Sequence, residues 1–159
     1  MAHLKRFLPW QHTQIAYEIM QTCDALAPMV SIEAFAQAIQ NNHGWMIMSN
    51  DNEYIGYWTI SDIIFFHDAC LHMTIKDDFR GHWLNKEILR EVFNYVFNDL
   101  GCRRVTVNVF KGVHDIAMKF SERLGFRFEG CKRQGACFPD GTAFDVVQYG
   151  MLREECKWL

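Results

Sequence analysis

The stretch WLNKEILREVFNYVFNDLGCRRVTVNVF, residues 83–110, decides the architecture. Leu84, Ile88, Val92 and Val96 recur at helical spacing beside Leu89, Phe93, Phe97 and Leu100, so residues 83–100 carry one broad apolar face. Gly101 stands where a helix ending in a left-handed residue needs it. The period then changes from helical to twofold. Arg103, Val105, Val107 and Val109 are opposed to Thr106, Asn108 and Phe110, the alternation of a strand with two unlike faces. A strand reached through a crossover helix pairs parallel with the strand before that helix. The earlier strand is the β-rich run 63–75, in which Cys70, His72 and Thr74 face one side and Leu71, Met73 and Ile75 the other.

Working outward, residues 3–8 read as a short strand closed by Pro9, which removes a backbone donor. Ile15, Ile19, Met20 and Cys23 mark a first helix, and Ser31 is an N-cap for a second that carries Phe35, Ala38 and Ile39 on one face. The apolar run 44–49, the turn residues Asn50-Asp51-Asn52 and the Tyr-, Trp- and Ile-rich run 53–60 form a hairpin. Past residue 110, a shorter helix over 113–124 ends at Gly125. A strand begins at 126–130, Pro139-Asp140-Gly141-Thr142 turns the chain, and 144–152 returns. The resulting order is β-α-α-β-β-β-α-β-α-β-β, expected as a single domain over 1–159 with no repeat and no linker.

Composition excludes several functional classes. The chain has 159 residues, half of them hydrophobic and 22% charged, with 10 Gly and 3 Pro, a balance of compact globular proteins rather than disordered ones. The 16 basic against 19 acidic residues give a formal charge of −3, with no clustered basic excess of the kind that binds nucleic acid. Asp62, His67 and Asp68 interrupt the best apolar stretch, so no membrane span is expected, and no signal-peptide core follows the N-terminus. Cys23, Cys70, Cys102, Cys131, Cys137 and Cys156 show no C-x2-C spacing. They read as free, mostly buried cysteines of a reducing compartment, and no metal site is expected.

Several blocks in order resemble the GNAT superfamily of acetyl-CoA-dependent N-acetyltransferases, in particular the branch that acetylates ribosomal-protein N-termini. Arg80-Gly81-His82-Trp83-Leu84-Asn85 occupies the place of the family's Arg-x-x-Gly-x-Gly/Ala loop. Glu122-Arg123-Leu124-Gly125-Phe126 matches its Glu-Lys-Leu-Gly-Phe, with Glu129-Gly130 in step, and Asp140-Gly141, Asp145 and Tyr149 match the third block. The match covers about residues 63–152, and the tail from Tyr149 onward resembles members encoded by phages and prophages. The resemblance implies an α/β (α+β) fold: a mixed, mostly antiparallel twisted sheet of about seven strands, four flanking helices and a splayed parallel pair in the middle.

It also implies the chemistry. Backbone N–H groups of a loop rich in small residues, backed by a helix N-terminus, can close around a pyrophosphate. On that logic Ile75, Arg80, Gly81, His82, Trp83, Leu84, Asn85 and His114 are the expected acetyl-CoA contacts. Acyl transfer to an amine further needs a proton acceptor and protonation of the departing thiolate. His72 is the first candidate base, because imidazole titrates near neutrality; Asp68 is the second, with Asp145 and Glu129 behind. Ser121 holds the place where many members carry an acidic Tyr. Trp45, Tyr54, Tyr57 and Trp58 are candidates to line an acceptor pocket.

Trp83 and Asn85 stand where the family usually has small residues, and a side chain at a point of close backbone approach fills a phosphate's space. Two expectations follow. One is a cytoplasmic N-acetyltransferase that takes acetyl-CoA and an amine of a protein or small molecule. The other is a catalytically weakened GNAT-fold protein that has lost the coenzyme and serves among phage structural proteins, in the virion or its assembly.

Overall fold

A computed structural model describes Met1–Leu159. The elements follow the expected order: β1 (His3–Arg6), α1 (Pro9–Cys23), α2 (Ile32–Ile39), β2 (His43–Met48), β3 (Tyr54–Ile64), β4 (Asp68–Ile75), α3 (Lys86–Asn94), β5 (Arg104–Phe110), α4 (Asp115–Leu124), β6 (Arg127–Cys137) and β7 (Ala143–Leu152). The seven strands are ordered β1-β2-β3-β4-β5-β7-β6. β4 and β5 pair parallel, as the crossover demanded, whereas β1–β2, β2–β3, β5–β7 and β6–β7 are antiparallel. The parallel pairing is confined to one register point, Cys70 opposite Thr106. The fold is thus the mixed α/β arrangement expected, with four helices and its parallel pair in mid-sheet. No helix is long and apolar enough to cross a membrane.

Internal contacts divide the chain into two compact units. Unit 1 comprises Met1–Ser61 and His72–Glu91, unit 2 Asp62–Leu71 and Val92–Leu159. In unit 1 the apolar faces of α1 and α2 meet β2 and β3 in a core of Phe7, Ala16, Ile19, Met20, Phe35, Ile39, Met46 and Tyr57. Ser31 caps α2 by accepting the Ala34 N–H at 3.2 Å, and Pro9 opens α1, where a missing N–H costs nothing. Gly44 is forced by close approach: a Cβ there would run into the Trp58 carbonyl on the neighbouring strand.

In unit 2, α4 packs on β5 and β6. Val92, Phe93, Val96, Phe97, Val105, Val109, Leu124, Phe126, Val147, Tyr149 and Met151 are buried. Phe93 stacks on Phe97 and tilts against Phe126, with centroids 6.1 Å apart in both pairs. Gly125 ends α4 in the left-handed region at φ +106°, as the helix stop required.

Several boundaries differ from the sequence reading; β1 ends at Arg6 and α4 begins at Asp115. The run 63–75 is two strands joined by a turn. β3 continues to Ile64, Phe66 takes a φ of 62°, and the His67 N–H returns to the Ile64 carbonyl at 2.9 Å. The Phe66 N–H reaches the Leu100 carbonyl, and its ring lies against Gly101. The third helix begins at Lys86 rather than residue 83 and closes through a π-helical turn, Tyr95–Asp99. The strand begun at 126–130 reaches Cys137, just short of the turn at Pro139, as read.

Candidate active site

The segment between β4 and α3 lies in unit 1. Asp77–Phe79 forms a single 3-10 turn, and the N–H groups of Phe79, Arg80 and His82 return to Lys76, Asp77 and Phe79. The N–H groups of Gly81, Trp83, Leu84 and Asn85 donate to no protein carbonyl or side chain. Gly81 has a φ of 87° and open space where a Cβ would stand. The two larger side chains of the loop are engaged elsewhere. The Trp83 ring is buried edge-on against Trp58, centroids 6.0 Å apart. Asn85 caps α3 by accepting the Ile88 N–H at 2.9 Å and donates to the Ala2 carbonyl at 2.9 Å. Arg80 is exposed and ion-paired with Asp77 at 2.7 Å. A loop with unengaged amides ahead of a helix N-terminus is suited to a phosphate group.

His72 is exposed on β4, and its Nε2 lies 2.8 Å from the Ser61 hydroxyl. Ile75, at the end of β4, is buried. Of the four aromatic residues expected near an acceptor, Trp45, Tyr57 and Trp58 are core side chains, and burial pushes the Tyr57 phenol well above its usual range. Tyr54 is half-buried and accepts from Lys5 at 3.0 Å.

The other candidates lie in unit 2. Asp68 accepts the Thr106 hydroxyl at 3.0 Å and stands 3.2 Å from Arg104 Nε. Arg104 also pairs with Glu129 at 2.6 Å. Asp68 and Glu129 together raise the guanidinium's pKa, Glu129 most through its hydrogen bond, against an opposing effect of burial. Ser121 is buried and donates to the Ala117 carbonyl at 2.8 Å, one turn back along α4. His114 precedes α4 and stacks on Phe110 with centroids 5.7 Å apart. Asp145 accepts the Gln134 N–H at 2.8 Å.

The sequence model of the acetyltransferase (GNAT) domain matches residues 2–127. The chain belongs to the GNAT family. GNAT acetyltransferases use acetyl-CoA as cosubstrate. Among curated proteins, the SPbeta prophage-derived uncharacterized N-acetyltransferase YokL of Bacillus subtilis (strain 168) is 29% identical over 84 residues. That match spans 53% of this chain and 46% of the relative, so less than half of the relative's length is represented. A chimera of spermidine N-acetyltransferase SpeG from Vibrio cholerae and hSSAT superposes at a TM-score of 0.77 with 17% identity, covering 96% of each chain. The crystal structure of a protein described as a "putative acetyltransferase" superposes at 0.75 with 21% identity, covering 97% of this chain and 87% of the other. At these identities the structural likeness speaks for the fold. None of these relatives supports a role in a virion.

The GNAT resemblance pointed to β4, the loop, α4 and, through Glu129, Gly130, Asp145 and Tyr149, to β6 and β7, and it passed over Asn108 on β5 and Gln148 on β7. Asn108 is opposite Gln148, and Gly130 is opposite the same Gln148 on its other side. The alternation of 103–110 puts Asn108 on the polar face. Its neighbours could not be named from sequence, because β7 inserts between β5 and β6 out of chain order.

Proposed function

We propose that the chain is an acetyl-CoA-dependent N-acetyltransferase acting on an amine of a small molecule or of a protein terminus, in the cytoplasm of a cell or prophage host. The observation that carries the reading is the row of unengaged N–H groups at Gly81, Trp83, Leu84 and Asn85, ahead of a capped helix. Acetyl-CoA supplies an acetyl group activated as a thioester. In this reading the amides of Gly81, Trp83, Leu84 and Asn85 hold the diphosphate, and Arg80 adds positive charge at the rim. Ile75, His82 and His114 are the further contacts.

His72 accepts the proton of the attacking amine. The C–N bond forms at the thioester carbonyl carbon, the C–S bond breaks, and the thiolate is protonated through water, while His72 returns the proton it took from the amine to that water and is neutral again. Water has this role because the Ser121 hydroxyl is directed at the Ala117 carbonyl. Asp68 is the positioning partner of Arg104 and Thr106 in this scheme rather than the base. The prophage relative favours a prophage origin.

Acetyl-CoA at one hundred times its dissociation constant should stabilise the fold by about 2.7 kcal/mol, which for a chain of this length raises Tm by roughly 5–10 °C. Arg80→Ala should shrink the shift, and His72→Asn should lower kcat by about 10²-fold or more while leaving the shift intact. No shift at millimolar acetyl-CoA refutes the reading.

A further inference from the structure

Trp83 puts an indole where GNAT loops carry a small residue, yet the ring is buried. It is 5% exposed and lies against Trp58, itself 1% exposed, with centroids 6.0 Å apart and planes at 61°. Both residues belong to unit 1. Trp58 stands on β3 opposite Trp45 of β2, so its place is set by the sheet. Its indole N–H is buried with no hydrogen-bond partner, and an aromatic face is the kind of neighbour that can still receive such a donor.

The Trp83 ring and the Trp83 N–H leave the same Cα. With the ring locked in the core, the place of the amide is set as well, and that amide is among the four that no protein group accepts. Two residues on, Asn85 anchors the segment again by accepting the Ile88 N–H and donating to the Ala2 carbonyl, both at 2.9 Å. At its start, the Lys76 N–H donates to the Ile55 carbonyl at 2.9 Å, and the Lys76 carbonyl takes the Phe79 N–H at 3.0 Å. Donors held in place before a ligand arrives avoid the cost of ordering them on binding. A glycine at position 83 would supply neither the buried ring nor the restricted backbone.

We infer that Trp83 is a positioning residue for the coenzyme: its ring, seated on Trp58, holds the N–H groups of Trp83, Leu84 and Asn85 in the arrangement that receives the diphosphate. The inference rests on the acetyltransferase reading and adds to it what sets the loop. In this chain the indole supports binding, and restoring the family's glycine weakens it.

The test is acetyl-CoA titration by calorimetry, on the full chain and well below each variant's Tm. Trp83→Phe keeps a ring on Trp58 and should bind within about threefold of the parent, whereas Trp83→Leu and Trp83→Gly should each bind about tenfold more weakly or worse. In turnover, Trp83→Leu should raise KM for acetyl-CoA by the same factor, with kcat and the KM of the amine little changed. Trp58→Leu should weaken coenzyme binding to a similar degree. The double variant Trp58→Leu/Trp83→Leu should be little worse than either alone, because the two rings act as one contact.

A Trp83→Leu variant with a lower Tm and the parent's acetyl-CoA affinity overturns the inference and leaves Trp83 a packing residue. So does a Trp83→Gly variant that binds more tightly than the parent, since the ring would then obstruct the phosphate. Should Trp83→Gly not fold, Trp83→Leu against Trp83→Phe decides. Should the parent itself not bind acetyl-CoA, the acetyltransferase reading falls, and the anchoring is judged by the amide NMR resonances of Gly81, Leu84 and Asn85. Resonances that move in Trp83→Leu and stay in Trp83→Phe sustain it; resonances that stay in both refute it.

Discussion

His12 is fully buried, set between the rings of Phe7 and Tyr54, and its Nδ1 accepts the Leu8 N–H at 2.9 Å. Burial, and then the nearby Lys5, lower its pKa below the ordinary 6.5. Burial, and then Arg6, do the same at His43. A histidine held neutral in the fold takes up its proton first in the unfolded chain. Its contribution is therefore whole above pH 6.5 and is lost as pH falls from there toward the lowered folded value. Tm should drop between pH 7.5 and 5.5, and His12→Gln should flatten that slope to the part that His43 supplies; an unchanged slope would acquit His12. At Gly150 the expectation is structural. Gly150→Ala displaces the Glu129–Arg104 pair, with a loss of about 1 kcal/mol for a partly exposed pair, measurable by urea denaturation.

At the scale of elements, α3 shows both how much the sequence disclosed and where it stopped. The apolar periodicity of 84–100 and the alternation of 103–110 were strong enough to yield the crossover and its parallel pairing. The same periodicity started the helix too early, since Trp83 and Leu84 fit its apolar face. In the fold Trp83 is needed against Trp58, and Asn85 takes the capping position. Asn85→Ala should cost about 1 kcal/mol, roughly 2–4 °C in Tm, because both the Ile88 cap and the Ala2 tether go with it.

Phe65 and Phe66 misled for a related reason. Aromatic residues favour strands, and the turn is held by partners distant in sequence, the Phe66 N–H on the Leu100 carbonyl and the Phe66 ring beside Gly101. The loop between β4 and α3 was recognisable through its family block. The pairing of Asn108 with Gln148 was not, because the two come from strands whose adjacency no local pattern encodes.

For the molecule as a whole, the strand order leaves β1 and β6 as the two edges. β1 is only four residues long. β6 is long and mostly exposed, but its register against β7 shifts twice, between Phe128 and Gly130 and between Lys132 and Ala136, where Lys132, Arg133 and Gln134 lie. An exposed edge is a template for adding another copy's strand, and irregular register with positive charge is how such templates are blunted. The broken ladder therefore guards colloidal stability: an incoming strand could bond along only a few residues before the spacing failed. Lys132→Val with Arg133→Val should scatter light on warming well before the parent chain does, and equal scattering would mean the edge is protected by other means.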